Sequence, residues 1–558
     1  MADQERAAEP AARAALAVHL ASLAGAFAAL MYVSRNIWFF ADDWEFLARR
    51  RHGTTIGVWV PHNEHWSTVP ILVYRALYDL VGLRSYRPYM AVLLVVHLLL
   101  AHLLWRWMRR SGAGAWIATA LAAMFLLLGA GWECLLFPFA MNFSGALLFG
   151  FAALLLADHD GRFGPRDVAA WAVAVVALMW SGVAVSMVAI MGIAVLLRRG
   201  VLAALATVSV PAAVYLAWFA AVGHHNANTT PASRAQLLEV PTFVWVGLTR
   251  GVEGITGLPG AGPVLVLALL VLLLRERDAA RHRAAVAVAA ALGTVALLAL
   301  TGVGRIALGV DAAAAPRYAY AVGALLLVGT AIVVTELGRS SAAITAVVLA
   351  AVAAFTVQGA GQLVTAARAR VAVLAPPEHQ ILAAARMVET GELLIAGPAA
   401  LPEPRYSFDM PLDALRQLVG EGAFGTVPEQ PPESRLAAAL QLQVAVGPEP
   451  AVDGGPGPRL GEAPAAARVT GGCARLHGAG PVFVRLLFAG PGWVSVTPSA
   501  GGDLTVAMAT SADPSLVSAP RTFPLTAGRT AVLSVSAADA APVVSLPAGD
   551  DVVCGLRP

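Results

Sequence analysis

The chain has 558 residues, of which 58% are apolar and only 13% charged, with a formal net charge of +3. Soluble domains carry about 25% charged residues, so this composition excludes an ordinary soluble core. Every basic side chain other than His is Arg, and the Arg residues are dispersed, which with so small a net charge sets nucleic acid aside as a partner.

Taken in chain order, the apolar runs predict helices near 14–33, 88–107, 115–131, 141–157, 168–181, 183–197, 201–222, 262–275, 285–302, 319–336 and 342–360, about eleven in all. Arg6 and Arg13 precede the first run, as in a signal peptide, but its length and the runs that follow read as a retained helix after a cytoplasmic segment 1–13. With that segment inside, the inner loops hold Arg106, Arg109, Arg110, Arg198, Arg199, Arg275, Arg277, Arg281, Arg283 and Arg339, as the positive-inside rule asks. The first outer loop, 34–87, is also Arg-rich and fits the rule less well.

The apolar signal stops near 360. A helical and linker region, 361–460, contains Pro377 to Leu394 and Leu412 to Leu418, and Pro/Gly connectors such as Pro448 to Pro458 follow. From 461 to 558, alternating runs at Val482 to Phe488, Trp493 to Thr497, Leu504 to Met508 and Ala531 to Ser536 predict a β-sandwich. An odd helix count places this tail outside the plasma membrane. Cys473 and Cys554, the two cysteines of the tail, bracket the β-region and fit a disulfide in an oxidising compartment.

The first outer loop carries the densest chemistry. Asp42 and Asp43 stand at the mouth of the first helix, in Trp38-Phe39-Phe40-Ala41-Asp42-Asp43-Trp44-Glu45. Charge at membrane depth marks a functional candidate, and such a carboxylate could deprotonate a hydroxyl or hold a divalent ion, with its neighbour raising one pKa. Equally, Asp42 with Glu45 three residues on resembles a capping box. His62, Glu64 and His65 are close enough to share a proton or a metal, but lack the spacing of the helical His-Glu-x-x-His zinc pattern, so a polar pocket is the plainer reading. Trp38, Trp44, Trp59 and Trp66 fit an interfacial aromatic belt or a ligand platform. Glu133, the lone acid between the third and fourth helices, is a second outer carboxylate or a salt-bridge partner. Arg305 and Arg317 lie at outer helix ends, where an Arg fork suits a lipid phosphate or a headgroup.

On these residues the layout from about 14 to 360 resembles the GT-C superfamily of membrane glycosyltransferases, which includes protein mannosyltransferases, aminoarabinose transferases and arabinosyltransferases. The resemblance implies transfer of a sugar from a polyprenyl-phosphate donor to a hydroxyl of a glycan, lipid or protein acceptor on the outer face, without a nucleotide. It maps the acidic pair supporting the general base onto Asp42 and Asp43, the second-loop acid onto Glu133, and the phosphate-binding cation onto Arg317. His62 to Pro70 and Arg317-Tyr318 are similar to stretches of bacterial membrane proteins of this type. It also implies a glycan-binding role for the tail, with Trp493 as its stacking residue. A transporter or lipid flippase, or a non-catalytic envelope-assembly protein, are the rival expectations. The first predicts mid-membrane charge and two related halves, neither of which stands out in the sequence.

Overall fold

A computed structural model describes residues 2–51, 57–226, 232–275, 284–339, 341–453, 457–464 and 467–557. Arg277, Arg281 and Arg283 of the expected inner loop lie outside these. The chain divides into two compact units. The first comprises Met1–Ile37, His52–Leu80 and Tyr86–Arg370, and the second Trp38–Arg51, Val81–Ser85 and Val371–Pro558.

The first unit is helical. Seven helices of the described residues are long and apolar enough to cross a membrane: Pro10–Val33, Arg87–Arg110, Pro138–Ala157, Val201–Ala221, Ala285–Leu308, Pro316–Arg339 and Ala342–Glu389, the last continuing into the second unit. Among the described residues the other four expected runs form helices of 12 to 17 residues, Ala115–Leu126, Pro165–Leu178, Val183–Arg199 and Gly262–Arg275, the last adjoining residues outside the described ones. About 20 residues are needed to cross a hydrocarbon core. Two further helices, Thr68–Val81 and Val240–Thr256, fall where the sequence reading has loops.

Local sequence sets the helix ends. Pro88 opens Arg87–Arg110, and Arg109 and Arg110 occupy its last turn, where cations meet the exposed carbonyls. Val183–Arg199 closes in the same way on Arg198 and Arg199 and stops at Gly200, which has φ +84°. Arg110, Arg198 and Arg199 are neutralised locally. Asp158 pairs with Arg110 at 2.9 Å and with Arg198, and the fully buried Asp167 pairs with Arg199 at 2.7 Å. Backbones come into direct contact where Gly129 meets Gly359, since a Cβ at 129 would lie 2.3 Å from the Gly359 carbonyl oxygen. Small residues permit that approach between apolar helices, where lipid supplies no hydrophobic drive.

The second unit holds the helices Leu412–Gly420 and Pro432–Leu442 and two antiparallel sheets. The strands are β1 (Val444–Gly447), β2 (Arg459–Leu460), β3 (Arg468–Thr470), β4 (Cys473–Gly478), β5 (Val482–Leu487), β6 (Gly492–Thr497), β7 (Gly502–Ala507), β8 (Arg521–Leu525), β9 (Ala531–Val535), β10 (Val543–Leu546) and β11 (Gly549–Cys554). One sheet runs β1-β9-β6-β11-β4-β3 and the other β2-β5-β10-β7-β8. Alternate residues such as Val484, Leu486, Val494, Val496, Leu504, Val506 and Val544 are buried, the period of strands with one face in a core. Cys473 and Cys554 sit opposite one another in the β4–β11 register and form a disulfide. Val81–Ser85 joins this unit through Leu83, whose N–H donates to the Ala423 carbonyl at 2.8 Å.

Candidate functional site

The acidic pair belongs to the second unit. Ala41, a non-glycine residue at φ +48°, turns the chain so that its N–H donates to the Tyr406 carbonyl at 2.6 Å. Such a φ costs about 1–3 kcal/mol and persists where surrounding structure enforces it. Asp42–Trp44 then forms one helical turn and Glu45–Arg49 a π-helical turn, closed by the Arg50 N–H on the Glu45 carbonyl at 2.9 Å. Single π turns of this kind concentrate at functional sites. The turn is capped at Ala41 rather than at Asp42, and it is Asp43, fully buried, whose Oδ2 accepts the Phe40 N–H at 3.2 Å. Glu45 is drawn away to Arg50 at 2.5 Å. Asp42 remains half-buried. Trp44 is fully buried with Trp38 edge-on at 5.3 Å, so it serves this fold rather than an open platform.

One acid of this constellation escaped the sequence reading. Asp409 receives Arg49 at 2.9 Å across 360 positions. Burial pushes its carboxyl above the ordinary carboxylate range. The Arg49 contact pulls it down, while the charges of Glu45 and Asp42 push it further up. Asp409 therefore lies within electrostatic reach of both Glu45 and Asp42. Nothing local in Ser407-Phe408-Asp409 distinguishes it from a loop acid.

In the first unit, His62 to Thr68 forms a tight turn. His62 and His65 exchange backbone hydrogen bonds at 3.0 and 2.9 Å, with Asn63 in the left-handed region at φ +50°. Asn63 Nδ2 lies 3.0 Å from His62 Nε2, and the His62 ring packs edge-on to Phe139. Glu64 Oε2 receives Arg305 Nη2 at 2.7 Å. Trp66 lies parallel to Trp218 at 5.0 Å, and its N–H donates to Thr68 Oγ1, which donates in turn to the Val58 carbonyl. His65 is seated on Gly182, where a Cβ would come within 2.8 Å of its Nδ1.

The same unit brings Glu133 and Arg317 together at 2.9 Å, so of the two readings of this acid the structure has the salt-bridge partner. Arg317 also lies over the Tyr318 ring at 5.1 Å, and Arg370, unremarked in the sequence, lies over the Trp132 ring at 4.9 Å. Two guanidinium groups therefore flank Trp132-Glu133. The neighbouring Cys134 thiol is held well above its usual range by burial first and then by the Glu133 charge, which keeps it protonated and inert.

In the tail, Trp493 is half-buried. A cleft of about 790 Å³ is lined by Glu392, Glu429, Arg435, Gln443, Met508 and Asp513 among others, with no aromatic ring on its walls to stack on a sugar. Among the described residues, no three His, Cys, Asp or Glu side chains gather so as to hold a metal ion.

No protein-family model matches the chain, and no curated protein matches it. The chemistry of these constellations is therefore the ground for a functional reading.

Proposed function

We propose that the chain is a membrane glycosyltransferase that moves a sugar from a polyprenyl-phosphate donor to an acceptor hydroxyl. The observation that carries this reading is the division of labour within the acidic pair. Asp43 is spent on the Phe40 N–H, while its neighbour Asp42 is half-buried on a rigid turn held by Ala41 and a π-helical segment. A general base needs both fixed position and access. The sharper assignment is thus Asp42 as base and Asp43 as the residue that positions it.

For the donor, Arg317 supplies a guanidinium beside Glu133, and Arg370 a second over Trp132. Planar cations of this kind suit phosphate oxygens and stabilise charge that develops on a leaving phosphate. The Glu133 contact fixes the Arg317 side chain in the absence of donor and is weak enough, at a partly exposed pair, to yield to a phosphate. The anomeric phosphate bond supplies the driving force, so no nucleotide loop is required. A β-sandwich tail outside the plasma membrane, and a glycan-binding role for it, belong to the same reading.

The test is transfer of labelled sugar from polyprenyl-phosphate donors by the purified protein in liposomes. Loss of transfer in Arg317→Ala, through a raised KM for donor, together with loss in Asp42→Asn at unchanged KM, supports it. Wild-type protein that neither transfers nor hydrolyses any such donor refutes it.

A further inference from the structure

The cleft of about 790 Å³ in the second unit is walled by four segments, all within Val371–Pro558. The end of Ala342–Glu389 and the turn after it give Met387, Thr390, Glu392 and Leu393. Pro432–Leu442 and its flanks give Glu429, Arg435, Leu436 and Gln443. The chain after β7 adds Met508, Asp513 and Leu516, and the chain after β9 adds Ser536 and Ala540. Clefts of roughly 300–1,000 Å³ enclose ligands of drug size, and they combine apolar walls with a few placed polar groups. Here Met387, Leu436, Met508 and Ala540 are buried and supply the apolar part. Met side chains repack around differing shapes.

The polar groups of the cleft are unbalanced. Gln443 is 4% exposed, and its Nε2 donates to Glu392 Oε2 at 3.1 Å. Oε1 of the same amide is left as an acceptor with no partner among the described residues. Ser536 Oγ donates to the Leu393 carbonyl at 2.6 Å, Thr390 Oγ1 to the Arg386 carbonyl at 2.9 Å and Gln430 Nε2 to the Pro428 carbonyl at 2.8 Å. These donors are engaged within the protein, and acceptors are left over.

Charge points the same way, for three carboxylates, Glu392, Glu429 and Asp513, line the cleft against the one guanidinium of Arg435. Glu429 is exposed and without an ion-pair partner among the described residues. Asp513 Oδ1 accepts from Ser515 Oγ at 2.6 Å and from the Ser515 N–H at 3.1 Å, which holds its carboxyl below the ordinary range and keeps it charged. Arg435 meets Glu392 at 3.2 Å with most of its side chain in solvent, a surface pair weak enough to exchange for another cation. An ammonium or guanidinium group donates to all of these acceptors and needs no donor in return. The apolar walls on both sides of them fit apolar neighbours of that cation. A polypeptide carries both, as a basic side chain between apolar ones.

We infer that this cleft is a docking site for an extended segment of a partner polypeptide, whose Arg or Lys side chain meets Gln443, Glu392 and Glu429 while its apolar residues lie over Met387 and Met508. The docking is independent of sugar transfer by the chain.

Full-length protein in nanodiscs of neutral lipid is titrated into a short fluorescent peptide of alternating Leu and Arg, and binding is followed by anisotropy with empty nanodiscs as the blank. Peptides alternating Leu with Gln and Leu with Glu are the controls, and the polyamine spermine is the competitor. The Leu–Arg peptide is expected to bind above the blank, less tightly as salt rises, and the two controls are expected not to bind. Spermine is expected to displace it only at a concentration at least tenfold above that of unlabelled peptide. Glu429→Lys changes an exposed side chain, so the fold is not at stake, and Gln443→Met removes the unpartnered oxygen at similar length. Each is expected to weaken binding at least tenfold. No binding above the blank, equal binding of the Leu–Gln peptide, or unchanged binding in either variant overturns the site. Displacement by spermine at the same concentration as unlabelled peptide overturns the polypeptide and makes the occupant a small polyamine.

Discussion

Asp43 Oδ2 accepts the backbone N–H of Phe40 at 3.2 Å, three residues back along the chain. This contact separates two carboxylates that are adjacent in sequence and chemically identical. One is part of the framework, and the other stands at the edge of it.

Opposite outcomes are therefore expected for the two acids. Asp43→Ala leaves the Phe40 N–H buried and unpaired, at a cost of about 1–3 kcal/mol, and a lower Tm measures it. Asp42→Asn, which keeps the shape of the side chain and an acceptor oxygen, is expected to lower Tm less than Asp43→Ala while lowering the transfer rate by about 10²–10⁴, the usual worth of a general base.

The pH dependence of stability reports on Asp409. Its folded pKa is raised, so the folded state holds the proton more tightly than the unfolded chain, and the group lowers stability as pH rises from the ordinary carboxylate range, about 4, through its raised value. Below that range both states are protonated and the effect vanishes. Asp409→Asn, which can still accept from Arg49, is thus expected to stabilise the protein at pH 7 and to match wild type near pH 3 in thermal unfolding. Equal differences at both pH values would show that the burial of this acid has no energetic consequence.

The disulfide closes a long loop, with the cysteines 81 positions apart. Cys473→Ser with Cys554→Ser is expected to destabilise the second unit by about 2–5 kcal/mol. Hydrogen-exchange mass spectrometry of β4 and β11 in rising denaturant measures this. Mass spectrometry of the unreduced protein after alkylation is expected to find both cysteines unlabelled.

Gly129 and Gly359 let two backbones meet directly in the helical unit. Gly359→Leu, a substitution that hydropathy favours, is expected to cause loss of the folded fraction in detergent, read by size-exclusion chromatography, because the side chain meets the Leu127 carbonyl rather than lipid.

The sequence made the long apolar helices and the alternating strands legible, because period and length act locally. Val240–Thr256 was not legible, since Pro241, Arg250 and Glu253 interrupt its apolar periodicity and its stability comes from packing of Phe243, Gly247 and Gly251. The candidate residues Asp42, Asp43, His62, Glu64, His65, Glu133, Arg305 and Arg317 stood out as polar groups in apolar surroundings. Their pairing did not, for Glu64 meets Arg305 across 241 positions and Glu133 meets Arg317 across 184. For the same reason nothing in the sequence joined Trp38–Arg51 to the C-terminal unit, which Arg49–Asp409 and Ala41–Tyr406 do.

The central claim is tested most directly by incubating the purified, lipid-reconstituted protein with polyprenyl-phosphate mannose, arabinose and aminoarabinose, each labelled in the sugar, and following loss of label from the lipid. Label is expected to leave at least one donor in the wild type, and the rate is expected to fall by at least a hundredfold in folded Asp42→Asn. A wild-type rate in Asp42→Asn would contradict the assignment of the base, and retention of label on all three donors by the wild type would contradict the glycosyltransferase itself.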